Sequence, residues 1–301
     1  MKPVLLTTAA AVAFAAFAAS APAFAKDGPE VEIDHAVARV VVIVEDRSDV
    51  AVEIEQGASR LPALRVERQR DGDIRIDGGL GRRAGGINMG DRIRSCHSGP
   101  ENAARPGDGA WVEVRDLGRI NVSDAPLIVV RTPRDVNVDA GGAVYGSVGR
   151  GARTLELGSG GCGAWHVANT DGPMSLSIGG SGDIRAGTSS ALDVNIGGSG
   201  SVTAGATRDL EVNIGGSGDV SVASIDGPLD VNIGGTGDVV VRRGTSPNVS
   251  INVAGSGDIR FDGTARDVDV SIVGSGDVTI ARATGNVSRS IMGGGDINIG
   301  R

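Results

Sequence analysis

From Leu192 onward, apolar and polar residues alternate in short runs broken by glycine. Leu192, Val194 and Ile196 are separated by Asp193 and Asn195. The same pattern returns as Leu210/Val212/Ile214, Leu229/Val231/Ile233, Val249/Ile251/Val253 and Val268/Val270/Ile272. After each glycine corner a shorter run follows: Val220/Val222, Val239/Val241, Ile259/Phe261, Val278/Ile280 and Ile297/Ile299. Alternation of this kind in β-branched residues predicts half-buried strands. No stretch of the repeat has a helical period.

The corner itself reads Gly-Gly-Ser-Gly-Asp. Its last residue falls at Asp183, Ser201, Asp219, Asp238, Asp258, Asp277 and Asp296, in steps of 18, 18, 19, 20, 19 and 19 residues. A fixed period near 20 residues predicts a solenoid. Two short strands per period cannot bury an apolar face alone, but stacked coils can, at about 4.8 Å per layer. The expected fold is an all-β, single-stranded parallel β-helix, right-handed by the general preference of parallel crossovers. The glycines are expected to supply positive φ at each corner, and each corner Asp to bond backbone amides of its own turn.

The segment 31–78 is rich in strand signal outside the repeat, with a hairpin turn at Asp71-Gly72. It is expected to form the first coils and a cap over one end. Residues 79–110 shift to Gly-Gly, Arg-Arg and Pro-Gly pairs and read as an irregular excursion from the stack. Degenerate repeats resume at Val136/Val138 and Leu155/Leu157, so residues 136–301 read as regular coils, about nine in all. Residues 26–301 are thus expected to be one domain, with 26–135 forming cap and first coils. Arg289, where earlier coils carry Val or Ile, fits a polar last coil.

Residues 1–25 change the setting. Lys2, an Ala-rich stretch from Val4 to about Ala19 and the small-x-small site Ala23-Phe24-Ala25 read as a secretory signal peptide. No cysteine follows the site and no later stretch is long enough to span a bilayer, so neither a lipid anchor nor a transmembrane segment is expected in the mature chain. Export to the periplasm or to the cell surface follows. The formal charge of −8 argues against nucleic acid as a partner.

These coils, behind Ala38-Arg-Val-Val-Val-Ile-Val44 and Asp71-Gly-Asp-Ile-Arg-Ile76, resemble the head GIN domain family of autotransporter adhesins. The literal triplet stands at Gly86-Ile87-Asn88, with a close variant at Gly295-Asp296-Ile297-Asn298. The resemblance implies a β-helix similar in shape to pectin lyases, without an assigned catalytic site, and a role in adhesion. The long excursion departs from the family pattern. No translocating barrel is expected, so that part of the family name is not carried over.

Candidate chemistry lies between the inward residues. Asp193, Glu211, Asp230 and Asp269 occupy one outward column, and Asn195, Asn213, Asn232 and Asn252 the next. Stacking puts neighbouring carboxylates about 5 Å apart, where like charges repel unless neutralised. Two readings stand: a face that binds polar glycans, or calcium through its oxygens, and a merely solvated face that aids stacking. The corner aspartates lack the nine-residue spacing of calcium-binding repeats. Cys96 and Cys162, the two cysteines of an exported chain, are expected to form a disulfide. Zinc is disfavoured, because Cys96-His97 are adjacent and no Cys-x-x-Cys is present. No metal or other cofactor is required.

Aromatic residues make up 2% of the chain, too few for the usual sugar platforms of glycan-cleaving enzymes. The expected function is therefore a non-catalytic, adhesin-like solenoid presenting an extended polar face to envelope polysaccharide or protein. The alternative is a carbohydrate-active enzyme, a polysaccharide lyase or hydrolase, on the same scaffold, with paired carboxylates as acid and base.

Overall fold

The computed structural model describes residues 28–84, 87–100 and 103–300. The expected signal peptide and Gly86 lie outside the described residues. Alternation becomes geometry in the repeat. Leu192, Val194 and Ile196 stand in parallel register over Leu210, Val212 and Ile214, and these over Leu229, Val231 and Ile233. Val194, Val212 and Val231 are each 0% exposed. The interior is a set of aliphatic columns running down about nine turns, about 19 residues apart. Each fully buried aliphatic side chain contributes about 1.5–3 kcal/mol, so the columns are the main force holding one coil on the next.

Each coil has a first side before the glycine corner and a second side after it. The first sides stack through strands such as Met174–Ile178, Ala191–Ile196, Asp209–Ile214 and Leu229–Ile233. The second sides stack through Cys162–Val167, Asp183–Ala186, Val202–Thr207 and Val220–Asp226. Longer strands, such as Ile259–Gly274, carry the chain from the second side of one coil to the first side of the next. Small polar residues turn inward after the second side. Thr207 Oγ1 donates to the Asp209 carbonyl at 3.0 Å and Ser246 Oγ to that of Asn248 at 2.7 Å, which satisfies both buried hydroxyls.

The corner glycines answer to a different demand from the one expected. Gly198, Gly216 and Gly235 are not among the positive-φ residues. A Cβ on any of them would lie 1.9–2.0 Å from the carbonyl oxygen of the equivalent glycine one coil below. Gly200, Gly218 and Gly237 are pressed in the same way. Corner backbones touch, and only glycine lets them. The first glycine of the corner is different: a Cβ on Gly197, Gly215 or Gly234 meets nothing nearer than 3.8 Å. That position becomes Ala254, Val273 and Met292 in the last three coils.

Order in space departs from order in sequence at the N-terminal end. Glu30–Val44 is not the outermost layer. It pairs with Asp135–Val148 on one edge and with Ile74–Asp77 and Leu127–Thr132 on the other. Those two are closed by antiparallel strands, Arg65–Arg68 and Ala51–Glu55. Gly72, with φ at 96°, turns the hairpin between Arg65–Arg68 and Ile74–Asp77. Charged residues such as Glu53, Glu55, Arg65 and Glu67 line this outer layer and blunt the edge.

The excursion is ordered into strands and runs past residue 110. Gly81–Ala84 and Ile87–Asp91 form one antiparallel pair. Ile93–His97, Trp111–Val114 and Gly118–Asn121 form a three-stranded sheet that stands beside the coils. A second apolar core lies between this side sheet and the outer surface of the early coils, with Val112, Val114, Ile120 and Val122 packed against Val37, Ala143 and Tyr145. The Cys96–Cys162 disulfide fastens the side sheet to the stack. At the other end, Val287–Gly293 is exposed along its length, with Arg289 in register over buried Val270.

Candidate functional site

The first side carries the two outward columns. Asp193, Glu211 and Asp230 are in direct register, as are Asn195, Asn213, Asn232 and Asn252. Ser250 separates Asp230 from Asp269, so Asp269 stands apart from the acidic run. The amides form a continuous ladder: Asn213 Nδ2 donates to Asn195 Oδ1 at 3.2 Å, Asn232 to Asn213 at 3.1 Å, and Asn252 to Asn232 at 3.1 Å. The second hydrogen of each amide goes to the acid of its own coil. Asn195 reaches Asp193 at 2.9 Å, Asn213 reaches Glu211 at 3.2 Å and Asn232 reaches Asp230 at 3.0 Å. Amide donors are thereby used within the protein, and carboxylate and amide oxygens are what remain to face a partner.

One expectation is corrected here. Alternation places Asp193 on the solvated face, but it is 6% exposed. Burial, and then the neighbouring Glu211 carboxylate, hold its carboxyl above the usual range, against the Asn195 hydrogen bond. Asp230 is raised too, by burial first and more weakly by Glu211, with the Asn232 hydrogen bond opposing. A raised carboxyl binds its proton more tightly in the folded chain, so stability falls as pH climbs from the ordinary aspartate value of 3.8 through the raised one. Asp193→Asn is expected to raise Tm at pH 7, by the equivalent of about 0.2–1 kcal/mol for removing a like-charge contact. The gain shrinks at pH 4. Melting curves at both pH values check this, and a lower Tm for the variant at pH 7 would overturn it.

The columns run further than the eight residues picked from the sequence. Glu156 and Asn137 continue the acidic column, and Asp139 and Glu32 continue the amide column, toward the N-terminal end. Asp139 is raised by burial, then by Glu30 and Asp34. The signal was present in Val136-Asn137-Val138-Asp139 and Leu155-Glu156-Leu157, whose apolar positions had already been aligned with the repeat. Among the described residues, no group of three or more His, Cys, Asp and Glu side chains is placed to hold a metal ion.

A groove of about 1070 Å³ follows the amide ladder along its glycine side, from Ser177 to Ser271. Gly179, Gly197, Gly215 and Gly234 line it and keep it open. Ala254 and Val273 narrow its far end. Five steps between layers make it about 24 Å long. It is a shallow, straight, acceptor-rich channel, suited to an extended chain of hydroxyl or amino groups.

The corner aspartates form a separate column and bond between coils, not within their own turn. Asp219 Oδ1 accepts from the Asp238 amide at 3.0 Å, Asp238 from Asp258 at 2.8 Å, Asp258 from Asp277 at 2.8 Å and Asp277 from Asp296 at 2.9 Å. Asp183 does the same for Ser201 at 3.2 Å. Their role is to clamp layers together.

Comparison with known proteins follows the same outline. The family model described as "Putative auto-transporter adhesin, head GIN domain" matches residues 35–242 and, again, residues 207–300. No curated protein matches. Among solved structures, the crystal structure of a "Putative lipid binding protein" from Parabacteroides distasonis is 19% identical, covering 91% of this chain and 93% of its own, with a TM-score of 0.45. A likeness of that degree carries no argument about function.

Proposed function

The chain belongs to the head GIN domain family of auto-transporter adhesins, and from that premise we propose that it is an exported, non-catalytic binding solenoid. Its partner is an envelope polysaccharide, or a protein segment in extended form, lying in the groove beside the Asn195–Asn252 ladder. The observation that carries this reading is the groove's repetition: the same acceptors recur at every layer over about 24 Å, which fits a polymer better than a compact ligand. Among the described residues no helix is long and apolar enough to cross a membrane. Because the amide hydrogens are already engaged, the groove favours a partner rich in donors.

Retention of the mature protein on immobilised acidic and neutral polysaccharides tests this. Retention without released reducing or unsaturated ends supports the binder. Released ends support the alternative, a polysaccharide lyase or hydrolase. Gly215→Met is the specific probe. Its Cβ has 3.9 Å of clearance, and Met292 occupies the same position three layers on. The substitution is expected to fill the groove and weaken retention at least about tenfold, with Tm unchanged to within about 2 °C. Undiminished retention would remove the groove from the proposal.

A further inference from the structure

A second site lies on the other side of the solenoid, where the corner-aspartate column ends. Asp183 is in register over Ala164, and Ala164 over Tyr145. The alanine methyl leaves a gap between the Asp183 carboxylate and the Tyr145 ring. The excursion folds over it with Ser98, Pro106, Gly107 and Asp108, and the result is a partly enclosed cavity of about 70 Å³. Gly107, with φ at 86°, lies against the tyrosine; a Cβ there would be 3.1 Å from its Cγ. The Cys96–Cys162 disulfide holds this cover in place.

Tyr145 is 2% exposed, and its hydroxyl has no hydrogen-bond partner. A buried hydroxyl without a partner costs about 1–3 kcal/mol, so it is a group with a use for a ligand. Burial, and then Asp183, push the phenol up to about 12, which keeps it a donor at any physiological pH. Asp183 and Asp108 line the cavity together with His166, Arg105 and Arg185. An anion entering here meets two carboxylates, and a cation meets two guanidinium groups. A neutral group that both accepts and donates satisfies the set: it accepts from Tyr145 and Arg185 and donates to Asp183. Size narrows the class further. Ligand pockets usually span about 300–1,000 Å³, whereas this one has room for a few heavy atoms, about two waters' worth.

We propose that the Tyr145–Asp183–Arg185 cavity binds a neutral polyol arm, such as the exocyclic hydroxymethyl of a hexose or a free glycerol-like molecule. The site uses none of the groove residues, so it stands or falls separately from the groove.

The test uses the mature, disulfide-bonded chain with three probes: methyl glucoside, methyl xyloside, which lacks the exocyclic arm, and glycerol. Binding is read by saturation-transfer NMR and Tm. Glucoside is expected to bind at least about tenfold more tightly than xyloside. Glycerol binding as well assigns the site to small polyols in general; glucoside binding alone assigns it to a saccharide arm. Tyr145→Phe should weaken glucoside binding by about tenfold or more, while the Tm without ligand stays level or rises, since the unpartnered hydroxyl is gone. Ala164→Leu, which fills the gap from the layer above, should abolish binding in a chain that still shows its β-sheet circular dichroism. Equal glucoside and xyloside binding, no binding by any probe, or undiminished binding in Tyr145→Phe overturns the proposal. A cavity that holds water only would show no saccharide binding and a lower Tm for Tyr145→Phe.

Discussion

Gly216→Ala is expected to break the solenoid where Gly215→Ala, one residue earlier, leaves it intact. The added Cβ at position 216 would sit 2.0 Å from the Gly198 carbonyl oxygen and 2.8 Å from that of Gly197. No side-chain rotation relieves such a contact, because all the atoms involved are backbone. The coils have to part, and they are tied at that point by Gly215 N to Ile196 O at 2.8 Å and Ser217 N to Gly198 O at 2.9 Å. Overpacking of a closed interface costs about 1–3 kcal/mol and more where nothing can yield. A cost of about 3 kcal/mol corresponds to a fall in Tm of about 6–12 °C for a chain of this size. In a stack where each layer contacts only its neighbours, hydrogen exchange should rise first in the layers on either side of residue 216. At position 215 the nearest atom is 3.9 Å away, and Ala254 already stands at the equivalent place, so a change within about 0.5 kcal/mol is expected. Two variants with the same Tm would show that coil contact does not set the glycine pattern.

Cys96→Ser combined with Cys162→Ser is expected to cost about 2–5 kcal/mol, and to loosen the side sheet ahead of the coils. The two cysteines are 66 residues apart in sequence, and closing a loop of that length accounts for about 4 kcal/mol in the chain-entropy picture. The substitution is clean on the solenoid side. Cys162 sits at the corner position that Ser181, Ser199 and Ser217 fill elsewhere, so serine is native to that backbone. The side sheet keeps its apolar contacts through Val112, Ile120 and Val122, but loses its covalent tie. Hydrogen exchange should therefore accelerate over Ile93–His97 and Trp111–Val114, with little change in Leu210–Ile214. Uniform acceleration along the whole chain, or none, would argue against a side sheet that the disulfide secures.

Much of the solenoid could be read from residues alone. Leu192-Asp193-Val194-Asn195-Ile196, repeated at 18 to 20 residues, states which atoms turn inward and which layer lies above. The Asn195–Asn252 ladder was legible for the same reason, since equal spacing makes equal neighbours. Asp193 was placed correctly in its column but not in its environment, because burial depends on what Glu211 and Asn195 do around it.

Local spacing and contact with the next coil are properties of the repeat, and the amino-acid sequence by itself determined them: parallel coils, aliphatic columns, a polar outer ladder and a contact-limited glycine corner. Where segments do not repeat, position depends on contacts between distant residues that leave no periodic trace. Only the tertiary structure decided that Glu30–Val44 lies inside the stack, that Trp111–Val114 joins a side sheet, and that Ser98–Asp108 closes over Tyr145. The physical reason is the range of the interactions: nearest-layer packing is written in every period, whereas closure across dozens of residues is settled once, by the fold as a whole.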